Sequence, residues 1–240
     1  MHGDYLAYAK MIDHSLLNPA LAIADLEAGC RLALAYDVAS VCMLPYYLPR
    51  GAALLRGSDV KASSTIGFPH GGQATSVKRA EAEQAVRDGC EELDMVVNIS
   101  RVLSREWDDV REDIRAVIDV AHAAARKVKV IFENCYLQDD HKIRLCEICG
   151  ELNADWVKTS TGYGPGGATF DDLRLMRRYA PPHVQVKAAG GVRDFETLLA
   201  VRELGVSRCG ASRTKEMMDE CRRRLDLPPM DVPGASAAGY

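Results

Sequence analysis

The 240-residue chain has no uninterrupted apolar run near the ~18 residues that a membrane-spanning helix requires. Its first residues, Met1-His2-Gly3-Asp4-Tyr5, carry neither a basic segment nor an apolar one, so no secretory signal is expected. Positive charge is not in excess. The net charge is −4 and the pI about 5.9, which argues against general binding to nucleic acid or membrane surfaces. Metal-binding signatures are also missing: there is no His-x-His, no His-Glu-x-x-His and no tight carboxylate group on one strand-like segment. A metal-dependent enzyme would have to gather its histidines from separate segments, so no metal and no cofactor are expected. The eight cysteines, at 30, 42, 90, 135, 146, 149, 209 and 221, follow no disulfide framework. Without a signal segment they are expected to be reduced thiols in a cytoplasmic protein. Cys146 and Cys149 form a Cys-x-x-Cys, but no second ligand pair lies near, and two thiols on a helix is the simpler reading.

What the chain does have is an alternation of two patterns. Short runs of small and β-branched residues occur at 38–44, 59–66, 92–98, 128–133, 154–158, 184–187 and 206–210. Several lack clear alternation, as parallel strands covered on both faces do. Between them lie amphipathic stretches. One, at 107–126, repeats apolar residues at Val110, Ile114, Val117, Ile118 and Ala121. Others are expected at 76–88, at 171–179 ahead of Pro181-Pro182, and at 194–204 from an Asp194 N-cap to Gly205. With a first strand near Met11-Ile12-Asp13 there are eight strand–helix units. Eight units in ~250 residues predict a single-domain α/β fold, the (β/α)8 TIM barrel. An open doubly wound sheet would place its glycine-rich turn after the first strand. Here such turns follow the last three. The barrel domain is expected over 1–226, with a Pro-, Gly- and Ala-rich tail over 227–240 that ends in Tyr240.

Two lysines terminate consecutive strand-like runs, each followed by small residues: Lys158 in Val157-Lys158-Thr159-Ser160-Thr161-Gly162 and Lys187 in Val186-Lys187-Ala188-Ala189-Gly190-Gly191. Either alone could be a solvated residue at a loop start. Together they suggest that one ammonium lowers the pKa of the other, from ~10.4 toward 7–8, so that a neutral amine can attack a carbonyl and form an imine. Asp94 lies inside the apolar run Leu93-Asp94-Met95-Val96, where a carboxylate is costly unless paired. It is expected to pair with a lysine, either as structure or as a proton carrier. Asp13 ends the expected first strand and reads equally well as a turn cap. Cys42 could fill space or face the barrel interior, Glu133 could orient the lysines or a hydroxyl, and His70 reads as turn structure. The turns at Thr161-Gly162, Gly190-Gly191-Val192-Arg193 and Gly210-Ala211-Ser212, with Arg193 and Arg213 adding charge, suit a phosphate.

Taken in order, Ile12-Asp13-His14-Ser15-Leu16-Leu17, Ser40-Val41-Cys42, Gly67-Phe68-Pro69, Glu92-Leu93-Asp94-Met95-Val96-Val97-Asn98 and Lys129-Val130-Ile131-Phe132-Glu133 form one series of segments. The Lys-Thr-Ser-Thr-Gly, Lys-Ala-Ala-Gly-Gly-Val-Arg and Gly210-Ala211-Ser212 segments complete it. In these the chain resembles the deoxyribose-phosphate aldolase family of class I aldolases, over most of its length. The resemblance implies that Lys158 forms the imine, Lys187 perturbs its pKa and Asp94 relays protons through water. It places Asp13 and Cys42 in the pocket near the small aldehyde. It places Gly162, Gly190, Gly191, Val192 and Ser212 at the phosphate, largely through backbone N–H groups. It also implies a terminal tyrosine, here Tyr240, that assists proton abstraction. Ser15 and Asn134 stand where the family commonly has threonine, and Arg213 where it commonly has a small residue. The implied reaction is reversible cleavage of 2-deoxy-D-ribose 5-phosphate to D-glyceraldehyde 3-phosphate and acetaldehyde. The implied partners are phosphorylated sugars and aldehydes, with no nucleic acid, no membrane and no cofactor. A homodimer is kept open. The alternatives are a related class I lyase on another phosphorylated sugar, or a non-catalytic sugar-phosphate sensor.

Overall fold

In a computed structural model, which describes residues 2–232, eight parallel strands close into one barrel in sequence order. They are β1 (Ile12–Leu16), β2 (Ser40–Met43), β3 (Lys61–Ile66), β4 (Glu92–Val96), β5 (Lys127–Ile131), β6 (Trp156–Lys158), β7 (Gln185–Ala189) and β8 (Arg208–Ala211). β1 closes the ring by pairing with β8, Asp13 opposite Gly210. The expected barrel is therefore present, and each expected strand overlaps an observed one. Two differences matter for the site. β1 runs on to Leu16, so Asp13 lies within the strand rather than at its end. Gly210, expected both at the end of the last strand and in the turn after it, belongs to β8, which runs on to Ala211.

Successive strand residues point to opposite faces. The outward set, including Leu16, Val41, Met43, Leu93, Met95, Val128, Val130, Val157 and Val186, is buried and joins the main apolar core. The surrounding helices complete it. α1 (His2–Ala9) precedes the barrel, and α2 (Ile23–Tyr36), α3 (Leu48–Leu55), α4 (Thr75–Arg87), α5 (Ile99–Leu103), α6 (Trp107–Ala123), α7 (Asp139–Glu151), α8 (Phe170–Tyr179), α9 (Phe195–Glu203) and α10 (Thr214–Arg224) connect or follow the strands. The apolar stripe expected on α6 faces inward: Val110, Ile114, Val117, Ile118 and Ala121 are all buried. Asp194 caps α9, accepting from the Thr197 N–H at 2.7 Å. Thr169 caps α8 by accepting from the Asp172 N–H. Cys146 and Cys149 are free, buried thiols on α7. Of the expected tail, Leu227, Met230 and Val232 pack partly buried against the core, and Arg222 donates to the Pro228 carbonyl at 2.7 Å. Tyr240 lies outside the described residues. Among those residues, no helix is long and apolar enough to cross a membrane.

His14 shows what the outward face costs. It is buried between β1 and the helices, its Nδ1 2.9 Å from the Thr214 hydroxyl and its Nε2 where a Cβ on Gly29 of α2 would be 3.2 Å away. Burial pushes its imidazole down to about 4. The folded value lies below the unfolded one, so this contribution to stability is complete above about pH 6.5 and is lost as the pH falls toward 4. His14→Gln should reduce the loss of stability between pH 7 and 4.5 by about 2–3 kcal/mol. Urea unfolding at both pH values measures this, and an unchanged pH dependence would contradict it.

Candidate active site

The barrel interior departs from the usual filling of branched apolar side chains. Asp13 (β1), Glu92 and Asp94 (β4), Lys129 (β5), Lys158 (β6), Lys187 (β7) and Arg208 (β8) meet inside it. All but Arg208 are buried, and its side chain is 11% exposed. Six of them form a closed ring of alternating charge. Asp94 Oδ1 accepts from Lys129 Nζ at 2.9 Å, and Lys129 Nζ lies 2.6 Å from Glu92 Oε2. Glu92 Oε2 accepts from Arg208 Nη1 at 2.9 Å, which also donates to Asp13 Oδ1 at 2.6 Å. Asp13 Oδ2 is 2.5 Å from Lys187 Nζ, and Lys187 returns to Asp94 Oδ2 at 2.8 Å. Ser63 of β3 donates to Asp94 Oδ1 at 3.3 Å.

Lys158 is the cation left over. Its Nζ donates to the same Asp94 Oδ2 at 2.7 Å, and its Cα is the direct register partner of Lys187. The three carboxylates are matched by Lys129, Lys187 and Arg208. A proton on Lys158 therefore gives the buried cluster a net positive charge. Its pKa lies below the ordinary lysine value. Burial is the largest cause, Asp94 opposes it, and Lys187 adds to the lowering. Lys187 thus acts in the expected direction, but desolvation is the larger effect. The other members stay charged. Burial works against the charge on Lys129 and Lys187, but the facing carboxylates outweigh it and raise both. Burial likewise opposes ionisation of Asp94, and Lys129, Lys158 and Lys187 outweigh it and hold the carboxyl well below the usual range. Asp13 is lowered by Arg208, Lys129 and Lys187 against the same opposition.

Lys158 also forms the floor of a cavity of about 380 Å³ at the carboxyl ends of the strands. Thr161, Gly162, Gly190, Gly191, Val192, Arg193, Gly210 and Ser212, all expected near a phosphate, line it. So do Ser15, Arg213 and Glu216, the last not anticipated. Glycine is needed where the loops after β6 and β7 cross. A Cβ on Gly167 would lie 2.4 Å from the Gly190 carbonyl oxygen, and Gly190 and Gly191 have φ of 75° and 98°. Glu133 accepts the Thr161 N–H at 3.2 Å and its hydroxyl proton, so of its two expected uses it serves the hydroxyl. The Tyr163 hydroxyl donates to the Leu17 carbonyl at 2.5 Å, and its ring meets Phe68 edge-on.

Asp94 and Lys187 are members of the ring, Asp94 in contact with Lys158 and Lys187 beside it in the register. Asp13 and Cys42 are not in the cavity lining. Asp13 is a ring member one layer down, and neither a turn cap nor a wall of the pocket. Cys42 is buried in β2, and burial raises its thiol pKa. Lys129, Glu92 and Arg208 were not anticipated. Lys129 in Val128-Lys129-Val130, like Asp94, is a charge inside an apolar run and costly unless paired. Among the described residues, no group of three or more His, Cys, Asp or Glu side chains is placed to hold a metal ion.

Comparison with known proteins decides the family. The model of the DeoC/LacD family aldolases matches residues 7–211. The chain belongs to the DeoC/LacD aldolase family. It is 66% identical over 237 residues to a deoxyribose-phosphate aldolase of Rhodopirellula baltica, covering 99% of this chain and 98% of the relative. It is 45% identical over 216 residues to one of Thermococcus gammatolerans, covering 89% and 96%. Among solved structures, the tetrameric deoxyribose phosphate aldolase of Aeropyrum pernix superposes with a TM-score of 0.85 at 28% identity, covering 93% of this chain and 94% of that one. Orotidine 5'-phosphate decarboxylase of Pyrococcus horikoshii shares the fold alone, at 12% identity and a TM-score of 0.62 over 88% and 99% of the two chains.

In this DeoC/LacD aldolase Asp94 is shared by three lysines. Asp94→Asn removes the carboxylate and keeps the shape, leaving buried ammonium groups short of a partner. Its expected cost is about 3–5 kcal/mol in urea unfolding at pH 7. A loss below about 1 kcal/mol would show that the ring does not depend on this carboxylate.

Proposed function

We propose that this protein catalyses reversible aldol cleavage of 2-deoxy-D-ribose 5-phosphate to D-glyceraldehyde 3-phosphate and acetaldehyde, through an imine on Lys158. The observation that carries the reading is the placement of Lys158. It is a buried amine of lowered pKa on the floor of a glycine-lined cavity, beside a carboxylate that Lys187 shares. Full-length relatives named for this activity support it.

In the synthetic direction the Lys158 lone pair attacks the carbonyl carbon of acetaldehyde. A proton passes from nitrogen to oxygen. A second proton, delivered through Asp94 and a water, then lets the hydroxyl leave as water and leaves the protonated imine. This draws electrons from the methyl group, whose proton is taken up through Asp94 and a water. The enamine carbon then attacks the aldehyde carbon of glyceraldehyde 3-phosphate. That carbonyl oxygen takes a proton, and the final hydrolysis returns the free amine and the second proton. Asp94 suits the relay because it touches both Lys158 and Lys187 through one oxygen. The turns after β6, β7 and β8, with Arg193 and the N-terminus of α10, suit the phosphate. Binding energy gained at the phosphate orients the reacting carbon, which is far from it.

Borohydride added with acetaldehyde should fix an ethyl group on Lys158, found by peptide mapping. Modification elsewhere, or none, would overturn the reading. Lys158→Leu should abolish turnover. Lys187→Leu should lower it by several orders of magnitude and move the acid limb of kcat/KM to higher pH, because Lys158 then holds its proton more tightly. An unshifted limb would remove Lys187 from that role. Tyr240 belongs to the proposal through the family resemblance. Its deletion should slow hydrogen exchange at the acetaldehyde methyl more than it weakens substrate binding, and an unchanged exchange rate would exclude it.

A further inference from the structure

We propose that Arg208 and Glu92, at the amino-terminal end of the barrel, are positioning residues that decide whether Lys158 holds a proton. They act through Asp13, Lys129 and Asp94, without touching substrate. The inference rests on the imine chemistry proposed above.

Arg208 and Glu92 are the first residues of β8 and β4, whereas Lys158 is the last residue of β6. In a parallel barrel these are opposite ends. The two line a cavity of about 360 Å³ that also borders Lys10 and Lys61 and contains no residue of the Lys158 cavity. Their link to Lys158 is an unbroken run of ion pairs. The Arg208 guanidinium bridges Glu92 and Asp13 with Nη1 at 2.9 and 2.6 Å. Glu92 passes to Lys129 at 2.6 Å and Asp13 to Lys187 at 2.5 Å. Both lysines end on Asp94, the carboxylate that Lys158 contacts. The Trp156 ring lies under the Arg208 guanidinium at 4.8 Å, and its Nε1 donates to Ser207, which holds this end of the ring in place.

The chemistry of the cluster follows from its charge. Asp94 from β4, Lys187 from β7 and Cys42 from β2 act on Lys158 directly, and Asp13 from β1, Glu92 from β4, Lys129 from β5 and Arg208 from β8 are linked to it through the ring. β3 contributes the uncharged Ser63. Arg193 and Arg213 from the loops and Glu216 from the first turn of α10 line the same cavity as Lys158. Of the charged groups in the barrel interior, the three carboxylates balance Lys129, Lys187 and Arg208, so the interior is neutral only when Lys158 is a free amine. A buried site of low dielectric enforces such a balance strongly, because water cannot screen the surplus. Removing a cation anywhere in the ring makes room for a proton on Lys158, and removing an anion expels it.

The test uses substitutions of opposite sign. For each variant, the pH dependence of borohydride trapping of acetaldehyde on Lys158, and of kcat/KM, is measured. Arg208→Met should move the acid limb up by about one pH unit, and Glu92→Gln should move it down by a similar amount. The double variant restores the balance and should return the limb to its original position. Arg208→Lys keeps the charge and should leave the limb unmoved. A merely structural role would lower activity at every pH without moving the limb. Shifts of the same sign, or none, overturn the proposal. If Arg208→Met does not fold, Glu92→Gln and Arg208→Lys decide the matter alone: an unmoved limb in the first, or a moved one in the second, sinks it. Failure of the unsubstituted protein to trap at Lys158 would instead defeat the imine reading itself.

Discussion

Everything at this site depends on a ring of six charges closed on itself inside the barrel. Asp94, Lys129, Glu92, Arg208, Asp13 and Lys187 alternate in sign, and each touches the next within 3 Å. Burying so many ions is expensive, and an apolar interior of equal volume would stabilise a barrel at least as well. What the ring provides is a fixed background of charge against which one further amine is in excess. Lys158 hangs from Asp94 as that amine and lines the cavity.

The fold explains why such an arrangement can exist. Strand residues alternate between two faces, and the apolar ones are spent outward against the helices, in one core that runs around the barrel. Stability therefore comes from the outer layer, and the interior is released for polar groups. Parallel strands put the starts of β4 and β8 at one end and the last residue of β6 toward the other, so the ring links the amino-terminal end of the interior to Lys158. The glycines at 162, 190 and 191 adopt positive φ, and Gly167 and Gly190 let the loops after β6 and β7 cross more closely than side chains would allow.

The barrel was legible because eight short apolar runs and the stripe on α6 are local patterns. Lys158, Lys187 and Asp94 were legible for the opposite reason: each breaks an apolar strand pattern that nothing local explains. Lys129 breaks its strand in the same way as Asp94 and is equally legible, as a charge inside Val128-Lys129-Val130. Glu92 and Arg208 stand at strand starts, where charged residues are commonplace. Asp13 read as a turn cap because its partners come from β5, β7 and β8. Its position opposite Gly210 is set by the register that closes the barrel, which no local pattern contains. The relative weight of burial and of Lys187 in lowering the pKa of Lys158 also required the assembled interior, since desolvation is a property of the whole enclosure.

The most direct test is a titration of the lysine side-chain nitrogens by NMR, with Lys158, Lys187 and Lys129 assigned through single substitutions. Lys158 should lose its proton below the ~10.4 of free lysine, while Lys187 and Lys129 remain charged beyond it. A Lys158 that titrates at or above that value, or a Lys187 that deprotonates first, would contradict this order.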